Sequence, residues 1–161
     1  MKKKNVAVLL PGSYDPPTIG HLSLIEHAAR TYERVFVVAF VNPKKTYTFT
    51  PKERVEMLRL MTEHLPNASV GFSEGLVIDY AKEHGVSLLI KGYRNETDLA
   101  YEKVQADWNL KHGGIETLLL PAREGNEHIS STAAREALHT DDLKPLLYEK
   151  VFDFIKKREK T

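Results

Sequence analysis

Residues Pro11-Gly12-Ser13-Tyr14-Asp15-Pro16-Pro17-Thr18-Ile19-Gly20-His21 join two stretches of different periodicity. Ahead of them, Asn5 to Leu10 is a short apolar run of the kind that forms a buried strand. Behind them, Leu22, Leu24, Ile25, Ala28 and Ala29 recur at helical spacing. The segment is therefore a strand-to-helix turn. Glycine in such a turn lets the backbone approach a ligand, and the two prolines stiffen it. His21 falls in the first helical turn, where free N–H groups and the helix dipole favour an anion. The glycine pattern of a dinucleotide loop is missing, as is the Gly-Lys-Ser/Thr of a P-loop. Ser13 and His21 on one junction make a different phosphate-handling arrangement. By spacing alone, a proline-rich turn with a surface histidine fits equally well.

Strands and helices alternate through the rest of the chain. Val35 to Phe40 predicts a second strand, and Asn42 to Thr48 a polar loop. Thr50-Pro51-Lys52-Glu53 is a capping box with proline at the first helical position. The helix it opens is expected to turn Val55, Leu58 and Met61 inward and to end before Pro66. Ala68 to Phe72 predicts a strand, Leu76 to His84 a helix closed by Gly85, and Ser87 to Ile90 a further strand. A long helix from Asn95 to Lys111 is stopped by Gly113-Gly114, and Thr117 to Leu120 is the last strand. Ser130 or Ser131 caps a short helix running to Leu138, and a C-terminal helical segment occupies about 141–158. Alternation of this kind predicts an α/β fold: a doubly wound, five-stranded parallel sheet with helices on both faces. A length of 161 residues fits one domain over 1–161.

Ligands of such sheets bind at the carboxyl ends of the strands, near the point where strand order reverses. Polar and basic residues cluster there: Ser13 to His21, then Lys44 and Lys45, then Lys91 and Arg94, then Ser130 to Arg135. The set suits a polyanion, most simply a nucleoside triphosphate. Transfer at phosphorus asks the protein chiefly for alignment and charge stabilisation, so no nucleophilic side chain is required. With zero cysteines there is no thiol chemistry, and a formal net charge of +1 gives no bulk attraction to nucleic acid or membrane. No apolar run approaches the roughly 20 residues that span a bilayer. The basic start Met1 to Lys4 precedes too short an apolar run for a secretory signal, so a soluble cytoplasmic protein is expected. His27, His64, His84, His112, His128 and His139 show no metal-ligand spacing. Trp108 reads as core or subunit contact.

Thr18-Ile19-Gly20-His21 resembles the Thr/His-x-Gly-His signature of the nucleotidylyltransferase superfamily. The fuller Pro-Gly-Ser-Tyr-Asp-Pro-Pro-Thr-Ile-Gly-His resembles the phosphopantetheine adenylyltransferase family. Ile129-Ser130-Ser131-Thr132-Ala133-Ala134-Arg135 is similar to the superfamily's second motif, Ile-Ser-Ser-Thr-x-x-Arg, at every fixed position. The resemblance implies a Rossmann-like fold and adenylyl transfer from ATP to 4'-phosphopantetheine, giving 3'-dephospho-CoA and pyrophosphate. It implies direct in-line attack without a covalent enzyme intermediate. His21 and Lys45 become the catalytic residues. Ser13, Lys45, Val77 and Lys91 fall on the acceptor. Ser13, Tyr14, His21, Gly92, Tyr93, Arg94, Glu102, Asn126, Glu127, His128, Ile129, Ser130, Ser131 and Thr132 fall on ATP, while Arg135 braces its helix. The resemblance also implies Mg²⁺ carried by ATP with no protein metal site, a homohexamer, and CoA as a feedback ligand. Two departures stand out. Lys91 replaces the family's arginine, keeping the charge but losing the bidentate fork, and Gly125 to His128 replaces an aromatic-containing loop. Alternatives are a different phosphate acceptor, such as nicotinamide mononucleotide, a cytidylyl donor, or a nucleotide sensor without turnover.

Overall fold

Five strands, all paired in parallel, lie in the order β3-β2-β1-β4-β5 in the computed structural model. The structure describes residues 3–160; Met1 and Lys2 of the basic start, and Thr161, lie outside them. The strands are β1 (Lys4–Gly12), β2 (Tyr32–Phe40), β3 (Ala68–Ser73), β4 (Leu88–Tyr93) and β5 (Glu116–Pro121). Between and after them come α1 (Ile19–Thr31), α2 (Pro51–Thr62), α3 (Val77–Glu83), α4 (Glu96–Gly113), α5 (Ser131–Glu136) and α6 (Glu149–Glu159).

Period-two alternation divides the apolar residues between two layers. Val8 and Leu10 of β1, with Val35, Val37 and Ala39 of β2, pack under α1, α2, α5 and α6. Leu9, Phe36, Val38 and Leu89 point the other way, onto Ala81 and the half-buried Val77, Ile78 and Tyr80 of α3. Helix α4 lies against β4, β5 and α3 on that second side. The fold is thus the doubly wound sheet that the alternation implies. Strand order reverses between β1 and β4, which pair through Val8 with Leu88 and Leu9 with Leu89.

Four expectations need correction. Lys91, Gly92 and Tyr93 do not follow a strand; they are its last residues, paired to Leu119, Leu120 and Pro121 of β5. The inward stripe of α2 is Arg54, Met57, Leu58, Met61 and Thr62, and Val55 is only half-buried. Of the two readings of Trp108, core falls away and subunit contact is left: it is 44% exposed, and α4 buries no residue in this chain. The C-terminal segment is a short 3₁₀ turn, Lys144–Leu146, followed by α6, because Pro145 lacks the N–H that a continuous helix would need.

Candidate active site

A cavity of about 470 Å³ opens at the carboxyl rim, between the ends of β1, β4 and β5 and the start of α1. It gathers Ser13, Tyr14 and His21 from the first motif, Lys91 to Arg94 from β4 and beyond, Asn126 from the loop before the second motif, and Ile129, Ser130 and Ser131 from that motif. Stretches more than a hundred residues apart in sequence therefore share one wall. Lys45, Val77, Glu102, Glu127, His128 and Thr132 do not line it. Lys45 stands on the exposed 42–48 loop, Val77 begins α3, and His128 borders a separate hollow beside α5.

The first motif is held rigidly. Thr18 caps α1, and the capping box is completed by a histidine instead of a glutamate. The Thr18 N–H donates to His21 Nδ1 at 2.9 Å, and Thr18 Oγ1 accepts the His21 N–H at 3.4 Å. Nδ1 is an acceptor in that bond, so the neutral ring carries its proton on Nε2. Burial first, then the Lys91 ammonium, pushes His21 down to about 4. The imidazole is therefore an uncharged N–H donor at neutral pH. Tyr14, in the left-handed region at φ 52°, donates its hydroxyl to the Leu10 carbonyl at 2.8 Å and packs edge-on to the His21 ring. Asp15 is buried, its carboxylate accepting the N–H groups of Thr48 at 2.9 Å and Phe49 at 2.8 Å.

The second motif grips the first. Arg135 Nη1 donates to the Asp15 carbonyl at 2.8 Å, and Ser131 Oγ to the Pro16 carbonyl at 2.8 Å. Arg135 thus braces the opposite loop as well as its own helix, where Nη2 reaches Thr132 Oγ1 at 3.1 Å. Ser130 caps α5 by accepting the Ala133 N–H at 3.0 Å, which leaves its own O–H to donate. On β4, Lys91 Nζ donates to the Pro11 carbonyl at 3.3 Å and lies 3.6 Å from Glu102, so Glu102 bears on the site through Lys91. A Cβ on Gly92 would make only ordinary contacts with Leu24 and the Leu120 carbonyl.

Sequence reasoning passed over Arg123, Asp98, Arg54 and the α1 residues Ser23 and Arg30, and it took His27, also on α1, for a surface or helix-end residue. All except Arg54 line the cavity. Arg123 follows β5 within a few residues, so the strand-end rule already pointed to it. Asp98 is the one carboxylate on the cavity wall among the described residues, and Arg94 Nε engages it at 3.1 Å. A wall of cations and N–H or O–H donors, with its single carboxylate neutralised, suits phosphates and supplies no cage for a divalent cation. Among the described residues no group of three or more His, Cys, Asp and Glu is gathered that could hold a metal.

A switch-point cavity with such a wall suits the phosphates of a nucleotide. Residues 9–137 match the family model described as cytidylyltransferase-like. A phosphopantetheine adenylyltransferase of Symbiobacterium thermophilum is 43% identical over 132 residues, covering 81% of this chain and 82% of the relative. That of Corynebacterium efficiens is 39% identical over 150 residues, covering 92% and 94%. A solved nicotinic acid mononucleotide adenylyltransferase of Plasmodium falciparum, complexed with NaAD, superposes with a TM-score of 0.70 over 96% of this chain and 97% of its own. At 16% identity that likeness shows the fold. At the level of the relatives in sequence, the chain belongs to the phosphopantetheine adenylyltransferase family.

Proposed function

We propose that this chain transfers the adenylyl group of ATP to 4'-phosphopantetheine. A phosphate oxygen of the acceptor forms a bond to the α-phosphorus, the bond from that phosphorus to the bridging oxygen breaks, and pyrophosphate leaves. Dephospho-CoA is the other product, and the reaction is reversible. The observation that carries the reading is the fixed tautomer of His21. Its Nδ1 is occupied by the Thr18 N–H, leaving Nε2–H to donate to charge growing on the α-phosphate, in the cavity that Lys91, Ser130 and Ser131 also line. Lys91, with Ser13 and Lys45, orients the acceptor phosphate, and Val77 adds an apolar contact. Arg94, Gly92, Tyr93 and Asn126 to Thr132 serve the nucleotide, and Glu102 acts through its pair with Lys91. Mg²⁺ would enter on the triphosphate; the one carboxylate on the wall among the described residues, Asp98, is paired with Arg94.

We further propose a homohexamer, with CoA competing for the acceptor half of the cavity, and a cytoplasmic setting. Among the described residues no helix is long and apolar enough to cross a membrane. The test of the reaction is pyrophosphate release from ATP with a panel of acceptors. 4'-Phosphopantetheine is expected to support turnover, and nicotinamide mononucleotide and glycerol phosphate are not. Release with nicotinamide mononucleotide alone would overturn the acceptor, and nucleotide binding without release would make the chain a sensor.

A further inference from the structure

Arg54 is the largest fully buried side chain of the protein, at 0% exposure. Its Nε donates to the Phe49 carbonyl at 3.1 Å and its Nη1 to the Ser13 carbonyl at 2.9 Å. Nη2 is buried without a hydrogen-bond partner, and among the described residues no carboxylate lies within ion-pair distance of the guanidinium. The guanidinium carbon lies 4.1 Å from the centroid of the Tyr47 ring. Lys45 Nζ lies 5.8 Å from the same ring, and the Tyr47 hydroxyl accepts the Asn42 N–H at 2.9 Å. One buried cation thus ties Ser13, on the cavity wall, to both ends of the loop that carries Lys45.

A role confined to stability does not account for this choice. Position 54 belongs to a stripe with Met57, Leu58 and Met61, where an apolar side chain would pack without losing the hydration of a charge. Replacing a buried ion pair by packed apolar residues is often neutral or stabilising, and this guanidinium has not even an ion-pair partner among the described residues to offset its desolvation, so its placement calls for a further reason. Its fork of donors holds two carbonyls on separate loops at fixed spacing, which an ammonium cannot reproduce. The buried Asp15 carboxylate holds the N–H of the same Phe49 whose carbonyl Arg54 engages, so the first motif and the 42–48 loop are fastened at one point from two sides.

We infer that Arg54 is a positioning residue for the acceptor half of the site. It registers the Ser13 turn with the Lys45 loop. The inference rests on the reaction proposed above.

The test compares wild type, Arg54→Lys and Tyr47→Leu, measuring kcat and both KM values with ATP and 4'-phosphopantetheine, alongside circular dichroism and melting. In Arg54→Lys the KM for phosphopantetheine is expected to rise about tenfold or more, since small misplacements of orienting groups are costly. The KM for ATP should stay within about twofold, the pattern of a lost interaction on one substrate only. A merely structural role would lower the melting temperature and the active fraction while leaving both KM values in place. That result, or an equal rise for both substrates, would overturn the inference. If Arg54→Lys does not fold, Tyr47→Leu decides, because it keeps the buried guanidinium and cuts its link to Lys45. An acceptor-specific rise supports the inference and an unchanged acceptor KM sinks it. Wild-type enzyme that releases no pyrophosphate with phosphopantetheine would instead sink the reaction itself.

Discussion

His21 is held neutral by burial and by the Lys91 ammonium, and its tautomer is fixed by the Thr18 N–H. A neutral donor gives up no proton it must later recover, so its contribution depends on placement and not on titration near pH 7. Loss of one such transition-state donor typically costs about 2.7–4 kcal/mol. His21→Ala is therefore expected to lower kcat by two to three orders of magnitude, measured as pyrophosphate release, with an unchanged circular dichroism spectrum. The same ring makes stability depend on pH. Its folded value is about 4 against an ordinary 6.5, so between the two the unfolded chain takes up a proton that the folded chain refuses. Stability is lost as pH falls through that window and the penalty is complete below about 4. Urea midpoints at pH 7 and pH 4.5 should drop further in wild type than in His21→Asn; equal drops would remove this assignment.

At the level of elements, the parts legible in the sequence were those with local causes. The Thr50 to Glu53 capping box is present as written, with both reciprocal bonds made. The reading of β4 stopped at Ile90 because Lys91-Gly92 has poor strand propensity; pairing with β5 carries the strand on to Tyr93, a tertiary effect that no local window contains. Arg54 escaped notice because charge is normally a sign of exposure, although its spacing from Met57, Leu58 and Met61 placed it on the buried stripe. The grip of Arg135 on Asp15 spans 120 positions and has no local trace. Packing between α3 and α4 is equally nonlocal and gives a prediction. A Cβ on Gly113 would lie 2.6 Å from Ile78 Cγ2 and 2.7 Å from Ile78 Cβ, atoms fixed by β-branching. Gly113→Ala should destabilise the fold by about 1–3 kcal/mol, as overpacking does. Gly71→Ala, where a Cβ meets nothing within 4 Å, is the control. Thermal melting should separate the two, and matching melting temperatures would show that α4 can shift without cost.

Across the whole molecule, the sheet topology explains why three distant segments can share one cavity: each lies at or just beyond the carboxyl end of a parallel strand, and reversal at β1 and β4 opens the gap between them. The outer face of α4 poses a separate problem. Helix α4 has 18 residues and buries none of them, and Tyr101, Val104 and Trp108 recur at helical spacing with exposures of 64%, 65% and 44%. Large apolar side chains grouped in this way are characteristic of interaction surfaces, contacts with another protein among them. In the homohexamer proposed above, further copies of the chain would supply that cover. Wild-type protein should then run in sedimentation equilibrium at about six times the chain mass. Val104→Glu combined with Trp108→Glu places two carboxylates in a desolvated contact, and should reduce that mass while leaving the circular dichroism spectrum unchanged. A wild-type chain sedimenting as a monomer would rule out the assembly. A hexamer indifferent to the double variant would move its contacts away from α4.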